Sequence, residues 1–201
     1  AGNVGVQIHQ VDPINKGDAV WVVNYWDVIT IGRIFKEGKF NTERSINLAG
    51  GQVEKPVYFR TYLGAQITPF IDGNIKGGNT RYISGSVLTG TKVKSDGYLG
   101  FYDNMITAIP EGGEDQFFGW IAPNFGKFSI SRTMFSWLMP NKTYNLDASM
   151  NGEERAFVMT GELEQVFPFD IYPMQLLKSI MIQDIEAMEN LGIYEVVEED
   201  F

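Results

Sequence analysis

The chain has 201 residues, 44% of them apolar, and a formal net charge of −9. It has no cysteine, which excludes disulfides, thiolate metal sites, cysteine nucleophiles and cysteine-held iron–sulfur clusters; a single histidine, His9, excludes a histidine metal cage. An acidic surface with no basic stripe repels phosphate backbones and argues against a nucleic-acid partner, and no apolar run approaches the ~20 residues that span a bilayer. No signal-peptide pattern stands at the start, AGNVGV, which also lacks a methionine and reads as the start of a fragment.

In residues 1–18, Val4, Val6 and Ile8 alternate, which predicts a short strand ended by Asp12-Pro13. The run AVWVVNY, residues 19–25, is continuously apolar and predicts a buried strand. An exposed edge there is a candidate for pairing with a second copy. In residues 27–36, Val28, Ile31, Ile34 and Phe35 recur at helical spacing, with Asp27 at the N-terminal end and Gly38 placed to cap the C-terminus. Strand then helix predicts the last unit of an α/β layer over residues 1–43.

Residues 44–112 predict a β-grasp. Strands are expected at 44–48, 57–62, 81–90, 97–101 and 105–109, with a short helix at 68–72. The 81–90 run, RYISGSVLTG, reads as a central strand with Tyr82, Ser84, Ser86 and Leu88 on one side and Ile83, Gly85 and Val87 on the other. The glycine-rich loop 72–82 carries no GxGxxG or GxxxxGK[ST] and reads as a turn. No G-x-S-x-G stands in the chain, and a triad would rest on His9 alone, so an independent hydrolase is a poor fit. A lone histidine is more often structural than catalytic.

Residues 113–150 form a connecting segment dense in rings: Phe117, Phe118, Trp120, Phe125, Phe128, Phe135 and Trp137, with Lys127 and Arg132 beside them. Such a set stacks on a flat ligand, anchors a partner protein, or forms core between subdomains; core is the commoner use. Residues 151–201 predict a helical part. Pro173 suits a first helical position, Leu177, Ile180, Met181, Ile185 and Met188 make one apolar stripe, and Gly192 closes it. The acidic end YEVVEEDF reads as a solvated face.

The runs at 23–50, 81–92 (RYISGSVLTGTK), 98–102 (YLGFY) and 118–132 (FGWIAPNFGKFSISR) resemble the A subunit of the sodium-translocating NADH:quinone oxidoreductases, over nearly the whole chain. The resemblance implies roughly the C-terminal half of that protein. Its fold class would be α+β: a remnant of a Rossmann-like α/β layer, a soluble-ligand-binding β-grasp (SLBB, ubiquitin-like), and a helical ferredoxin-like end that has lost its clusters. The family is related to the flavin-bearing protein of respiratory complex I and to the C subunit of the Rnf complex. Against the latter's CxxCGxCxxxCPxxLxPxxL, residues 157–176 keep Gly161, Pro168, Pro173 and Leu176, while Phe157, Thr160, Leu163 and Phe167 stand at the cysteine positions. Val196 and Glu199 stand at two further ones.

The resemblance therefore implies a cofactor-free chain. FAD, FMN, riboflavin and iron–sulfur would lie in partner subunits that pass electrons from NADH to ubiquinone or menaquinone and export sodium. The chain would be peripheral, on the cytoplasmic face of the bacterial inner membrane, docked on the membrane subunits and chiefly on the B subunit. No catalytic or metal-binding residue is expected. Docking or ligand candidates are Tyr82, Lys92, Trp120, Phe125, Phe128, Arg132 and Trp137. The alternative is a quinone or other ring ligand held by the β-grasp, for which Tyr82, Ser84, Ser86 and Lys92 would be the donors.

Overall fold

A computed structural model describes residues 3–113, 117–119, 121, 123–129, 132–151 and 154–201, apart from the side chain of Glu199. The chain forms two compact units, Ile29–Glu154 and Ala1–Val28 with Arg155–Phe201.

The first unit is built on a five-stranded sheet: β1 (Glu43–Ala49), β2 (Val57–Tyr62), β3 (Thr80–Ser84), β4 (Thr91–Val93) and β5 (Met105–Pro110). Their order across the sheet is β2-β1-β5-β3-β4. β1 pairs antiparallel with β2, Ile46 opposite Phe59, and parallel with β5, Leu48 opposite Ile106. β3 runs antiparallel to both β5 and β4. A short helix, α3 (Thr68–Ile71), lies between β2 and β3 in sequence. A hairpin, a short helix, a second hairpin and a last strand returning parallel to the first is the β-grasp arrangement.

The period of two along a strand decides which side is buried. In β1, Arg44, Ile46 and Leu48 are buried while Glu43, Ser45 and Asn47 are more open. Ile46 and Leu48 meet Ile106 and Ala108 of β5, together with Val53, Ile67, Ile71 and Leu99, in one core cluster. Phe59 and Phe70 pack at its edge with ring centroids 5.0 Å apart. The turn after β1 passes tightly over β5: at Gly50 (φ +121°) a Cβ would collide with the Ala108 carbonyl.

Three expectations for this unit change. The strand expected over 81–90 stops at Ser84, because Gly85 takes φ +96° and turns the chain. No strand forms over 97–101; that stretch instead makes backbone bonds around the short helix, Ile67 N–H to Gly97 O (2.9 Å) and Leu99 N–H to Ala65 O (3.0 Å). The second hairpin is completed by β4, at 91–93, which the residue spacing does not indicate.

The other unit holds α1 (Val4–Val11), α4 (Pro173–Met181) and α5 (Ile185–Asn190). The strand expected from Val4, Val6 and Ile8 is thus a helix. Contacts distant in sequence hold it: Asn3 Nδ2 donates to Asp200 Oδ1 (3.2 Å), and His9 Nδ1 lies 2.6 Å from Glu195 Oε2. Pro173 opens α4 as expected. The single apolar stripe does not form. Gln183 adopts φ +58° and Asp184 caps a separate α5 by accepting from the Ala187 N–H, so Met174, Leu176 and Ser179 are buried while Ile180, Met181 and Ile185 face outward.

Residues 19–25 form no strand up to the start of α2 (Tyr25–Glu37), and Trp21 is 92% exposed. α2 itself forms as expected, with Gly38 (φ +66°) after its end, and none of its residues is buried.

Substituting Ile106→Ala, at the fully buried centre of the β-grasp core, is expected to cost about 2–5 kcal/mol, read from the urea midpoint. Substituting the exposed Leu88→Ala is expected to change stability by less than about 0.5 kcal/mol.

Candidate docking site

Two loops leave the same end of the sheet. One follows β3 (residues 85–90), the other precedes β5 (residues 94–104). Ser84, the last residue of β3, joins them. Its Oγ donates to Asp103 Oδ2 (2.5 Å) and accepts from the Gly100 N–H (2.8 Å). Gly85 N–H donates to Met105 O (2.8 Å), and Thr107 Oγ1 donates to Gly85 O (2.7 Å). Within the first loop, Ser86 Oγ accepts from the Leu88 and Thr89 N–H groups (3.3 Å each), and Gly90 N–H donates to Ser86 O (3.0 Å). Buried polar groups are thereby satisfied and the loop bases are fixed.

The tips carry apolar side chains in water. Val87 is 60% exposed, Leu88 89%, Phe101 52% and Tyr102 67%. Phe101 and Tyr102 meet edge to face, with centroids 4.9 Å apart. Beneath them the buried Arg44 places its guanidinium 5.9 Å from the Phe101 ring centroid and reaches Asn104 Oδ1 (3.4 Å). A cation over a ring is worth roughly 0.5–2 kcal/mol and fixes its tilt.

The expected donors are differently placed. Tyr82 packs against the core. Ser84 is buried in the network just described and Ser86 holds its own loop. Lys92 Nζ bonds Glu111 Oε1 (2.6 Å), an oxygen shared with Arg81 Nη2 (2.8 Å), while Arg81 Nε reaches Oε2 (3.1 Å). Hydrogen bonds from the Arg81 guanidinium, then from the Lys92 ammonium, hold the Glu111 carboxyl down to about 2.

In the ring-rich segment Phe117, Phe118, Phe125, Phe128, Phe135 and Trp137 are all exposed. Phe125 pairs with Phe135 (centroids 5.8 Å) and Phe128 with Tyr144 (5.5 Å). Lys142 Nζ donates to the Phe125 carbonyl and lies over the Tyr144 ring. Arg132 is exposed at φ +60°. Trp120 lies outside the described residues.

At the positions that the resemblance aligns with the Rnf cysteines, Phe157, Leu163, Phe167 and Val196 are half-buried and Thr160 is exposed, its Oγ1 4.0 Å from Met174 Sδ. Phe167 packs on Phe169 (5.5 Å) and Phe201 (5.0 Å). The side chain of Glu199 lies outside the described structure. His9 sits edge-on to Phe169 (4.9 Å) beside Glu195, a structural setting. Nearby, Lys16 and Tyr194 both donate to Glu189 Oε1 at 2.6 Å, and the Lys16 bond is the main cause of that carboxyl's lowered pKa. Among the described residues no group of three or more histidines or carboxylates is arranged to hold a metal.

Reading 81–90 as one strand conceals the loop tips. The signal that marks them is Gly85 and Gly90 bracketing Val87 and Leu88, with Gly97 and Gly100 before Phe101 and Tyr102.

The mixed sheet with its short helix defines a β-grasp unit within an α+β chain. Comparison with known proteins is specific. Residues 45–95 match the family described as the NqrA C-terminal domain (SLBB), and residues 1–40 match the NqrA second alpha/beta domain. All 201 residues align with the A subunit of the Na(+)-translocating NADH-quinone reductase of Neisseria meningitidis serogroup B (43% identical), Serratia proteamaculans (43%) and Hahella chejuensis (42%), covering 45% of each. The chain is thus similar along its whole length to the A subunits of these reductases, and it spans about half the length of the relatives it matches.

Glu111 supplies a pH test. Its folded-state pKa is depressed, so its stabilising contribution is present above the ordinary carboxylate value of 4.5 and is lost as pH falls toward about 2. The urea midpoint is expected to fall less steeply over this window in Glu111→Gln than in the unaltered chain. Equal slopes would remove the Arg81–Glu111–Lys92 triad as the cause.

Proposed function

We propose that the chain serves as a peripheral, cofactor-free docking part of a sodium-pumping NADH:quinone reductase. One observation carries this: similarity along every residue to proteins named as the A subunit of that reductase. The chemistry of the side chains supports it. Iron–sulfur ligation needs thiolate or occasionally imidazole; the chain has no cysteine, and its one histidine is 2.6 Å from Glu195. Among the described residues no helix is long and apolar enough to cross a membrane. The work left to such a surface is contact.

In this proposal residues 1–43 are the end of a Rossmann-like layer and 44–112 the SLBB module. Residues 113–150 connect it to a ferredoxin-like end, 151–201, whose cluster positions are filled by Phe157, Leu163 and Phe167. The partner is a membrane protein of the complex, chiefly the B subunit, met at the cytoplasmic face. Phe125, Phe128, Arg132 and Trp137, all exposed, remain docking candidates, and Trp120 joins them on sequence grounds. The flavins and the iron–sulfur centre belong to partner subunits. The alternative, a quinone or similar ring held by this chain, draws on the same exposed rings. It is the weaker reading because Ser84 and Lys92, two of its four donors, are bonded to Asp103 and Glu111.

Purified chain is expected to contain neither iron nor flavin in stoichiometric amount, read from total-iron assay and the visible spectrum. A soluble quinone analogue is expected to leave its tryptophan fluorescence without saturable quenching. Stoichiometric flavin or iron would overturn the cofactor-free role, and saturable quenching would favour the ring-binding alternative.

A further inference from the structure

The loops at the two ends of the β-grasp unit differ in charge. One end, reached by the turns at 50–56 and 72–79 and by Glu111, is charged: Glu54, Lys55, Asp72, Lys76, Arg81 and Glu111 stand there or on the adjoining strand. The opposite end also carries the Glu43–Arg60 pair (3.9 Å) across β1 and β2, but its loop stretches 85–90 and 97–102 themselves contain no charged residue. Val87, Leu88, Phe101 and Tyr102 are exposed to water on loops whose bases are locked by Ser84, Asp103 and Gly100. The acid of that lock is spent on Ser84, and the cation beneath, Arg44, is buried.

We infer that this loop pair is a docking anchor that inserts into an apolar hollow on another protein of the reductase. The inference rests on the proposed function and locates its contact. Three properties select a protein as occupant. The tip has no lysine or arginine to meet anionic lipid, and the chain's net charge of −9 repels such a surface. Ring and aliphatic side chains with a tyrosine hydroxyl match the centre of protein interfaces, where charge is depleted. The loops are held before binding, so little ordering entropy is lost when they insert. A standard interface buries roughly 800 Å² on each partner, more than four side chains supply, so the tip is the anchor of a larger contact.

The test uses the reductase assembled in its native membrane, with a tag on the polypeptide that contains this chain. The unaltered polypeptide is expected to co-purify with the membrane subunits. Leu88→Glu is expected to lower the co-purified fraction at least tenfold, and Phe101→Ser to lower it measurably. Tyr58→Glu, a control on the exposed outer face of the edge strand β2, is expected to leave it unchanged. Urea midpoints of the Leu88→Glu and Phe101→Ser chains separate lost docking from lost folding. A photo-crosslinking residue at position 88 is expected to join a peptide of another protein of the complex.

Retention of Leu88→Glu at the unaltered level overturns the anchor while leaving the docking role standing. Failure of the unaltered polypeptide to co-purify overturns both. Crosslinks only within the same polypeptide, or Leu88-dependent binding to phosphatidylglycerol vesicles, also overturn the anchor.

Discussion

The fold depends on the parallel pairing of β1 with β5. Parallel neighbours cannot be joined by a tight turn; the chain must cross over between them. Everything from residue 50 to residue 104 is that crossover, and its contents are set by what the two strands leave open. On one face Ile46, Leu48, Ile106 and Ala108 need cover, supplied by Val53, Ile67, Ile71 and Leu99 from the crossover itself. On the far side of β5, its free edge is closed by β3, which in turn is followed by β4. The short helix is thus less a helix in its own right than a way of delivering Ile67 and Ile71 to the core.

The same pairing places two loops together. Because β3 is antiparallel to β5, the C-terminal end of one lies beside the N-terminal start of the other, and Ser84 is opposite Ile106. Whatever follows Ser84 must therefore stand beside whatever precedes Met105. The hydroxyl of Ser84, accepting from one loop's N–H and donating to its carboxylate, turns this adjacency into a fixed geometry. A buried hydroxyl satisfied twice is costly to disturb, which keeps the tips in place although they touch little themselves.

Much of this unit is legible in the residues. The strand at 57–62 and the helix beginning at Thr68 stand as read, because alternation and a proline near a helix start are local signals. Three failures share a different cause. The alternation Val4, Val6, Ile8 is a strand signal, since on a helix Val6 points away from Val4 and Ile8, yet the segment is a helix tied by bonds to Asp200 and Glu195, nearly two hundred residues away. The apolar run at 19–25 reads as a strand, yet a strand exists only where a neighbour takes its N–H and C=O groups, which composition does not report. The run 81–90 alternates beyond Ser84, but Gly85 at φ +96° ends the strand, and a glycine in sequence does not announce whether it will use that freedom. That third failure hides the site: residues that read as strand faces are loop tips.

The distribution of rings carries the last step. The fully buried core of the β-grasp is made of Ile, Leu, Val and Ala, with Phe59, Phe70 and Tyr82 only at its edge. A core already filled to close-packed density has no room for further rings; forcing one inside strains the neighbours by more than its burial returns. The aromatics of 101–102, and the described ones of 117–137, are therefore surplus to folding, and they lie exposed. Exposed rings are a liability for a chain that works alone, since each keeps apolar surface in water that any other apolar surface can relieve. Rings placed on fixed loops outside an aliphatic core suit the apolar partner surface proposed above, and the loop stretches 85–90 and 97–102, which themselves carry no charged residue, are where such a surface can approach at least cost in ion desolvation.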